Sequence, residues 1–193
     1  MDKEKIVVNR IQESILVKRQ LKDEAKTIIA VADEIAQAFR RGNKVFLFGN
    51  GGSAADAQHI AAEFTGKYMR DRAPLPAIAL TTNTSSLTAI SNDYGYEYIF
   101  LRQVQALVAK GDVVIGISTS GNSPNVILAI DEAKRCGAIT VALTGQSGKL
   151  KELADHVLSV PSKDTPLIQE AHITIGHIIC QLVEEDIFGK GEE

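Results

Sequence analysis

The sequence predicts an α/β domain, a three-layer αβα sandwich around a five-stranded parallel sheet, preceded by N-terminal helices. Two observations lead to this fold class. Five short, nearly continuous apolar runs follow residue 43, and such runs are typical of parallel strands that are buried on both faces. Segments with helical spacing of apolar residues separate the runs, which is the order of a parallel sheet with crossover helices. A chain of 193 residues suffices for one core, so we expect a single domain over residues 1–193.

The first 41 residues form the helical part that precedes the sheet. They contain neither Gly nor Pro, and their apolar residues recur with helical spacing. Asp2 can cap the start and Gly42 can end the segment, so we expect two helices, or one long bent helix, that meet near residues 21–23. An apolar stripe that precedes every strand must still be covered. We therefore expect residues 1–41 to serve in oligomerisation.

Strands and helices alternate in the remaining αβα core, residues 42–193. The strand-like runs lie at residues 44–48, 76–80, 112–117, 138–143 and 157–160. Helical segments are predicted after the first run to about residue 68, and at 85–90, 96–108, 124–136 and 165–187. Ligands of such sheets bind beyond the carboxyl ends of the strands. Functional residues are therefore expected in the loops that follow the strands.

Charge and composition exclude several classes of partner. The formal net charge is -3 at pH 7 and the pI is near 5.8, which offers no general attraction for a nucleic acid backbone. The N-terminus lacks the apolar core of a signal peptide, and no run approaches the roughly 20 apolar residues that cross a bilayer. We expect a cytoplasmic protein without nucleic acid or membrane partners, in which Cys136 and Cys180 are reduced, buried thiols.

Two loops with anion-binding character follow the first and third strands. Gly49–Ser53 is mostly glycine, so its backbone can approach a ligand closely, whereas Ser118–Ser123 carries four hydroxyl groups. Each loop precedes a helix, whose N-terminal N–H groups and dipole favour an anion. Ordinary turns with capping serines are the alternative. A dinucleotide fingerprint, Gly49-x-Gly51-x-x-Ala54, is also present, but no acidic residue ends the second strand to hold a ribose.

Three segments in this order, FGNGGSAADAQH at 48–59, ISTSGNS at 117–123 and IQEAH at 168–172, resemble the sugar isomerase (SIS) family and, within it, the phosphoheptose isomerases. The resemblance covers nearly the whole chain and implies the flavodoxin-like SIS fold. It also implies an aldose–ketose isomerase that converts sedoheptulose 7-phosphate to D-glycero-D-manno-heptose 7-phosphate, the first step towards activated heptose for lipopolysaccharide or other surface glycans. Relatives of this kind are homotetramers with active sites at subunit interfaces.

An isomerase of this kind needs a base that removes a carbon-bound proton and an acid that protonates oxygen, through an enediol. By similarity to the family, Glu63 is the base and His177 is the acid. His59 precedes Glu63 by four residues, so the two side chains share one helix face. Without the resemblance, Glu63 would be interpreted as a solvated helix carboxylate and His177 as a core residue of an apolar helix.

The resemblance also implies one zinc ion per subunit, held by His59, Glu63, Gln169 and His177. This set of nitrogen and oxygen donors is compatible with zinc. Gln169 and His177 lie eight residues apart on one predicted helix, which separates them by ~12 Å along the axis and ~80° around it. They reach one ion only at near full extension, through a distorted helix, or from different subunits. His172 lies ~140° around the helix from His177 and is expected to be structural.

The other implied contacts are to the sugar phosphate. Those in the first loop are Asn50, Gly51, Gly52 and Ser53, of which Ser53 is also expected to cap the following helix. Asn92 and Asp93 match family positions that contact sugar hydroxyls, although the dipeptide alone would be interpreted as a turn. The remaining expected ligand contacts are Glu63, Ser118, Thr119, Ser120, Ser123 and Gln169.

Two alternatives remain open. A non-catalytic SIS protein, of the replication-initiator-associating or sugar-phosphate-sensing type, would keep both loops but lack the acid–base pair. An isomerase of a shorter ketose phosphate, of the arabinose 5-phosphate type, usually carries extra domains, for which 193 residues leave no room.

Overall fold

The computed structural model describes residues 1–189 and contains a five-stranded sheet in the order β2-β1-β3-β4-β5. The strands are β1 Val45–Gly49, β2 Ala77–Ala79, β3 Val113–Ser118, β4 Ile139–Thr144 and β5 His156–Ser159. Each neighbouring pair is parallel. The predicted fold class is therefore confirmed, and the strand order is that of flavodoxin-like sheets. Residues 190–193 of the expected core lie outside the described residues.

Two helices precede the sheet, as expected. They are α1 Lys3–Gln20 and α2 Ala25–Arg40, separated by a 3-10 turn at Leu21–Glu24. Asp2 Oδ1 accepts a hydrogen bond from the Lys5 N–H at 3.1 Å, so the predicted cap is present. After α2, Gly42 has a φ of 81°, a left-handed conformation that glycine adopts without strain and that ends many helices.

The later helices are α3 Gly52–Thr65, α4 Thr84–Tyr94, α5 Leu101–Leu107, α6 Pro124–Arg135, α7 Leu150–Leu153 and α8 Thr165–Phe188. The helix predicted for residues 96–108 is divided into a 3-10 turn at Tyr96–Tyr98 and the shorter α5. The apolar spacing did not predict α7, because a helix of a single turn is too short to show a helical period.

The sheet lies between two apolar layers. On one face, α2, α3 and α8 pack against strand side chains such as Val45 and Leu47. On the other face, α5 and α6 pack against Phe46 and Phe48. Because successive side chains of β1 are buried on opposite faces, the strand appears in the sequence as one continuous apolar run.

α1 contributes little to either layer. Its Val17 is buried, whereas six of its apolar residues are between 44% and 58% exposed, namely Ile6, Val7, Val8, Ile11, Ile15 and Leu16. Polar contacts tie α1 to α8, from Arg10 to Asp164 and from Ser14 to Glu170. The apolar stripe on α1 therefore stays uncovered within one chain.

Two further findings concern membrane-spanning helices and the state of the cysteines. Over residues 1–189, no helix combines the length and apolar character needed to cross a bilayer. Both cysteines are free, and burial raises the pKa of the Cys180 thiol to about 12. Cys136, at the C-cap of α6, is half-buried, so the expectation of two buried thiols is right only for Cys180.

Candidate active site

The two predicted anion-binding loops lie side by side at the carboxyl edge of the sheet. β1 and β3 are neighbours, and Gly49 at the end of β1 pairs with Ile117 of β3. The loops that follow these strands lead into α3 and α6, which pack on opposite faces of the sheet. This is the point in the strand order where a crevice opens and where ligands of such sheets bind.

Glycine is needed in the first loop for steric reasons. Gly51 has a φ of 55° and is the N-cap of α3, while a Cβ on Gly49 would lie 2.8 Å from the Ile117 carbonyl oxygen. Ser53 does not cap α3 as predicted, because the positive φ at Gly51 starts the helix earlier. Ser53 is instead a buried residue inside the first turn. The N–H groups of Ser53 and Ala54 donate to the carbonyl oxygens of Asn50 and Gly51 at 3.0 Å, and anion binding at this end of α3 stays a prediction.

The second loop concentrates hydroxyl groups. Ser118 Oγ lies 2.9 Å from Ser123 Oγ and 3.4 Å from Ser120 Oγ, and Thr119 is half-buried beside them. Gly121, with a φ of 64°, allows the tight turn, since a Cβ there would lie 2.5 Å from the Ser147 carbonyl oxygen. Of the four predicted hydroxyl donors, three thus form one hydrogen-bonded cluster.

Asn125 joins the two loops and was not predicted from the sequence. Its side-chain amide pairs reciprocally with that of Asn50, through hydrogen bonds of 2.9 and 2.8 Å. The Tyr96 hydroxyl donates to Asn50 Oδ1 at 3.0 Å. Asn125 is only 2% exposed, so the pair fixes the Asn50 side chain from inside the fold. No sequence pattern distinguishes this asparagine from any other polar residue in a first helical turn.

His59, Glu63 and His177 converge between α3 and α8. His59 Nε2 lies 3.1 Å from Glu63 Oε1 and 3.3 Å from His177 Nε2, and one ligand atom from each residue lies within 4.8 Å of the others. Glu63 and His177 are half-buried and His59 is exposed. The predicted acid–base pair, Glu63 and His177, therefore meets the predicted metal ligand His59 within a single chain. The three side chains can share a substrate or a cation there.

Gln169 lies at the other end of the contact between α3 and α8. A Cβ on Gly52 would lie 2.4 Å from Gln169 Nε2, so this amide covers the start of α3. α8 continues as a helix from Gln169 to His177, which keeps their axial separation at ~12 Å. Within one chain, the structure thus brings Gln169 to the first loop, while it brings His177 to His59.

Asn92 and Asp93 occupy the last turn of α4, where both are exposed. The Asn92 amide donates to Asp93 Oδ1 at 2.9 Å. They form part of a helix and not of the turn that the dipeptide alone would suggest. The following residues, Tyr96–Tyr98, connect α4 to the first loop through the bond from Tyr96 to Asn50.

Two further titratable groups border the site. His172 is fully buried, and its Nε2 lies 3.2 Å from the Thr144 carbonyl oxygen, which agrees with the structural role expected for it. Burial lowers the pKa of His172 to about 4. Asp56, between Gly52 and His59 on α3, has one buried oxygen without a hydrogen-bond partner in the described structure, and burial raises the pKa of its carboxyl group.

Comparisons with known proteins assign the family. A model of the SIS domain matches residues 11–145. Phosphoheptose isomerase 2 of Campylobacter jejuni is 58% identical over 183 residues, which cover 93% of this chain and 91% of the relative. The chain belongs to the phosphoheptose isomerase family. The phosphoheptose isomerase of a Roseiflexus species is 56% identical over 186 residues, covering 94% of this chain and 93% of the relative.

Solved structures of phosphoheptose isomerases share the fold over nearly all of the described residues. That from Neisseria gonorrhoeae superposes with a TM-score of 0.90 at 42% identity, covering 94% of this chain and 98% of its own. That from Francisella tularensis gives a TM-score of 0.92 at 34% identity, covering 96% and 100%. Sequence and structure therefore agree that this member of the phosphoheptose isomerase family is an isomerase.

Proposed function

We propose that this enzyme converts sedoheptulose 7-phosphate to D-glycero-D-manno-heptose 7-phosphate through an enediol. The observation that carries the proposal is the convergence of a carboxylate, Glu63, and an imidazole, His177, between α8 and the helix α3, which follows the first predicted anion-binding loop. Together they supply the base and the acid that moving a carbonyl from C2 to C1 requires.

Glu63 removes a proton from C1 of the ketose and returns it to C2. His177 protonates O2 as the C1 proton leaves, which gives the enediol. The deprotonated His177 then accepts the O1 proton as Glu63 protonates C2 and the aldehyde forms. The proximity of the two groups, within 4.8 Å, lets both contact one carbon–oxygen unit. The hydrogen-bond distance between His59 and Glu63 supports a fixed orientation of the Glu63 carboxylate.

The donor set of this cluster fits a zinc ion. Neighbouring ligand atoms around a tetrahedral zinc ion with typical bond lengths lie about 3.3–3.5 Å apart, similar to the 3.1 and 3.3 Å distances that join His59 Nε2 to its partners. His59, Glu63 and His177 would hold the ion, and we propose Gln169 as the further ligand, from the same or another subunit. When bound, zinc polarises the substrate carbonyl and stabilises charge on its oxygen.

The two loops provide the proposed phosphate and sugar contacts. The hydroxyl groups of Ser118, Thr119, Ser120 and Ser123 are suited to phosphate oxygens. The contacts proposed for the sugar on the side of α3 are Asn50, Gly51, Gly52, Ser53 and Gln169. His59 lies seven residues, or about 10 Å along the helix, beyond Gly52. A heptose as substrate is supported by the relatives, which are named phosphoheptose isomerases. Asn92 and Asp93 remain proposed contacts of the sugar hydroxyls.

Assembly and pathway follow as further parts of the proposal. The exposed apolar stripe on α1 supports the use of residues 1–41 in a homotetramer, with active sites at the subunit interfaces. Two free thiols support a reducing, cytoplasmic location. The product would enter the synthesis of activated heptose for lipopolysaccharide or another surface glycan.

The proposal is tested by incubating the protein with sedoheptulose 7-phosphate in deuterated water and following the products by NMR. We expect an aldose signal and deuterium at C2. Ribulose 5-phosphate, offered in parallel, tests for an isomerase of a shorter ketose phosphate. Absence of turnover of either sugar, together with retained phosphate binding, would favour the non-catalytic alternative.

A further inference from the structure

A buried ion pair joins the segment that connects α3 to β2, which contains Arg72, to Glu184 of α8. Arg72 Nε donates to Glu184 Oε2 at 2.9 Å, and the two side chains are only 2% and 3% exposed. A buried ion pair is weak evidence of stability, because desolvation offsets most of the attraction between the charges. Its other contacts show what the pair holds in place.

Arg72 binds the backbone of the residue that carries the proposed base. Arg72 Nη2 donates to the Glu63 carbonyl oxygen at 2.8 Å, and Nη1 donates to the Phe64 carbonyl oxygen at 2.8 Å. The last carbonyls of a helix lack partners within the helix, and a cation there is also favoured by the helix dipole. The planar guanidinium thus fixes the end of α3 at the position of Glu63.

Glu184 fixes the opposite side of the cluster. Its carboxylate accepts hydrogen bonds from the N–H groups of Tyr68, Met69 and Arg70 at 3.2, 2.9 and 2.9 Å. These bonds fix the backbone of Tyr68, whose ring centroid lies 5.8 Å from that of His177. Glu184 also lies two turns after His177 on the same helix. One ion pair therefore contacts the backbone of the base and the backbone of Tyr68, whose ring lies beside the acid, and its carboxylate belongs to the helix that carries the acid.

We propose that Arg72 and Glu184 are positioning residues for the isomerisation, which set the separation of Glu63 from His177 without touching the substrate. This inference rests on the proposed function. Lysine cannot replace Arg72, because one ammonium group cannot donate to Glu184 and to two carbonyl oxygens in the planar geometry of a guanidinium. Displacement of a catalytic group by about 1 Å can reduce turnover by about 100-fold.

The test compares kcat, KM and melting temperature of wild type, Arg72→Lys and Arg40→Lys with sedoheptulose 7-phosphate as substrate. Arg40 is the matched control, because its ion pair with Asp186 lies near the same end of α8 but is exposed. For Arg72→Lys we expect kcat to fall by about 10- to 100-fold with KM within about twofold of wild type. Arg40→Lys should keep both constants.

A second control separates positioning from stability. Thr140→Val removes the hydrogen bond from the buried Thr140 hydroxyl to Asp155 at the amino end of β4, and we expect it to lower the melting temperature without lowering kcat. A folded Arg72→Lys protein with wild-type kcat would refute the inference. If that variant does not fold, Glu184→Gln is judged by the same criterion. Absence of turnover by the wild type would refute the proposed function instead, so the two failures are distinguishable.

Discussion

His59 and His177 face each other from α3 and α8, with their Nε2 atoms 3.3 Å apart. Two ring nitrogens at this distance share either a proton or a cation. Since His59 Nε2 also lies 3.1 Å from Glu63 Oε1, a cation would satisfy three acceptors at once. This geometry leads to the first prediction.

His59→Ala should abolish metal binding. Protein purified without chelators is expected to hold about one zinc ion per subunit, and the variant should hold almost none because only two of the clustered ligands remain. Elemental analysis by mass spectrometry measures the content directly. His156→Ala, on β5, is the control and should keep the wild-type content. Equal zinc in wild type and His59→Ala would contradict the proposed site, and Gln169→Ala tests the further ligand.

Glu63→Gln should lower kcat by about 10²- to 10⁴-fold, because the amide cannot accept the carbon-bound proton. The exchange of that proton with deuterated water should be lost as well, which NMR detects. Glu152→Gln, at an exposed position on α7, should behave like wild type. Exchange that persists in Glu63→Gln would assign the base to another residue.

His177→Ala should also lose turnover while it keeps the fold. His177 is half-buried at the edge of the cluster, so truncation leaves little enclosed cavity and the melting temperature should stay close to that of wild type. Circular dichroism and the NMR assay measure the two quantities. Wild-type kcat in this variant would end the assignment of His177 as the acid.

Asn125→Ala should loosen the first loop. The variant removes the reciprocal partner of the Asn50 amide, which is the buried Asn125 side chain. We expect this loss to lower the free energy of unfolding by about 1–3 kcal/mol. We also expect it to raise KM more than it lowers kcat. Urea unfolding and steady-state kinetics measure these effects. Asn9→Ala, on the exposed side of α1, is the control. An unchanged KM would show that the amide pair does not shape the ligand site.

His172 should make the stability depend on pH. Its pKa is about 4 in the folded protein against an unfolded value of 6.5, so the unfolded chain binds the extra proton first. The contribution of the neutral ring is complete above pH 6.5 and is lost as pH falls towards 4, by about 3 kcal/mol in total. Urea unfolding across this range should show the loss in wild type. His172→Gln should show a flatter profile between pH 6.5 and 4.5, and identical profiles would contradict the prediction.

The strands were predictable because burial on both faces leaves a continuous apolar run, and each observed strand starts or ends within one or two residues of its run. The predicted strand ends are wrong where backbone pairing decides where a strand ends. Gly49, for example, belongs to β1 because it pairs with Ile117. Ser53 was wrong as a cap because the φ of Gly51, which starts α3 earlier, cannot be deduced from the residue types.

The site was predictable only where its contacts are local or where the resemblance supplied them. The contact between His59 and Glu63 follows from their spacing on one helix. The third member of the cluster, His177, is brought to this contact by the packing of α8 on α3, which no local pattern encodes. Glu184 illustrates the same limit, since an acidic residue near the end of a helix suggests a solvated surface, yet here it is buried and paired with Arg72.

The two loops precede helices that belong to different layers of the fold. α3 belongs to the apolar layer on one face of the sheet and α6 to the layer on the other. A sugar phosphate between their N-termini would act as a cross-brace, since neither layer can come away from the sheet without releasing it. Binding of the sugar phosphate would then stabilise both layers against unfolding, by a free energy that grows with the logarithm of its concentration.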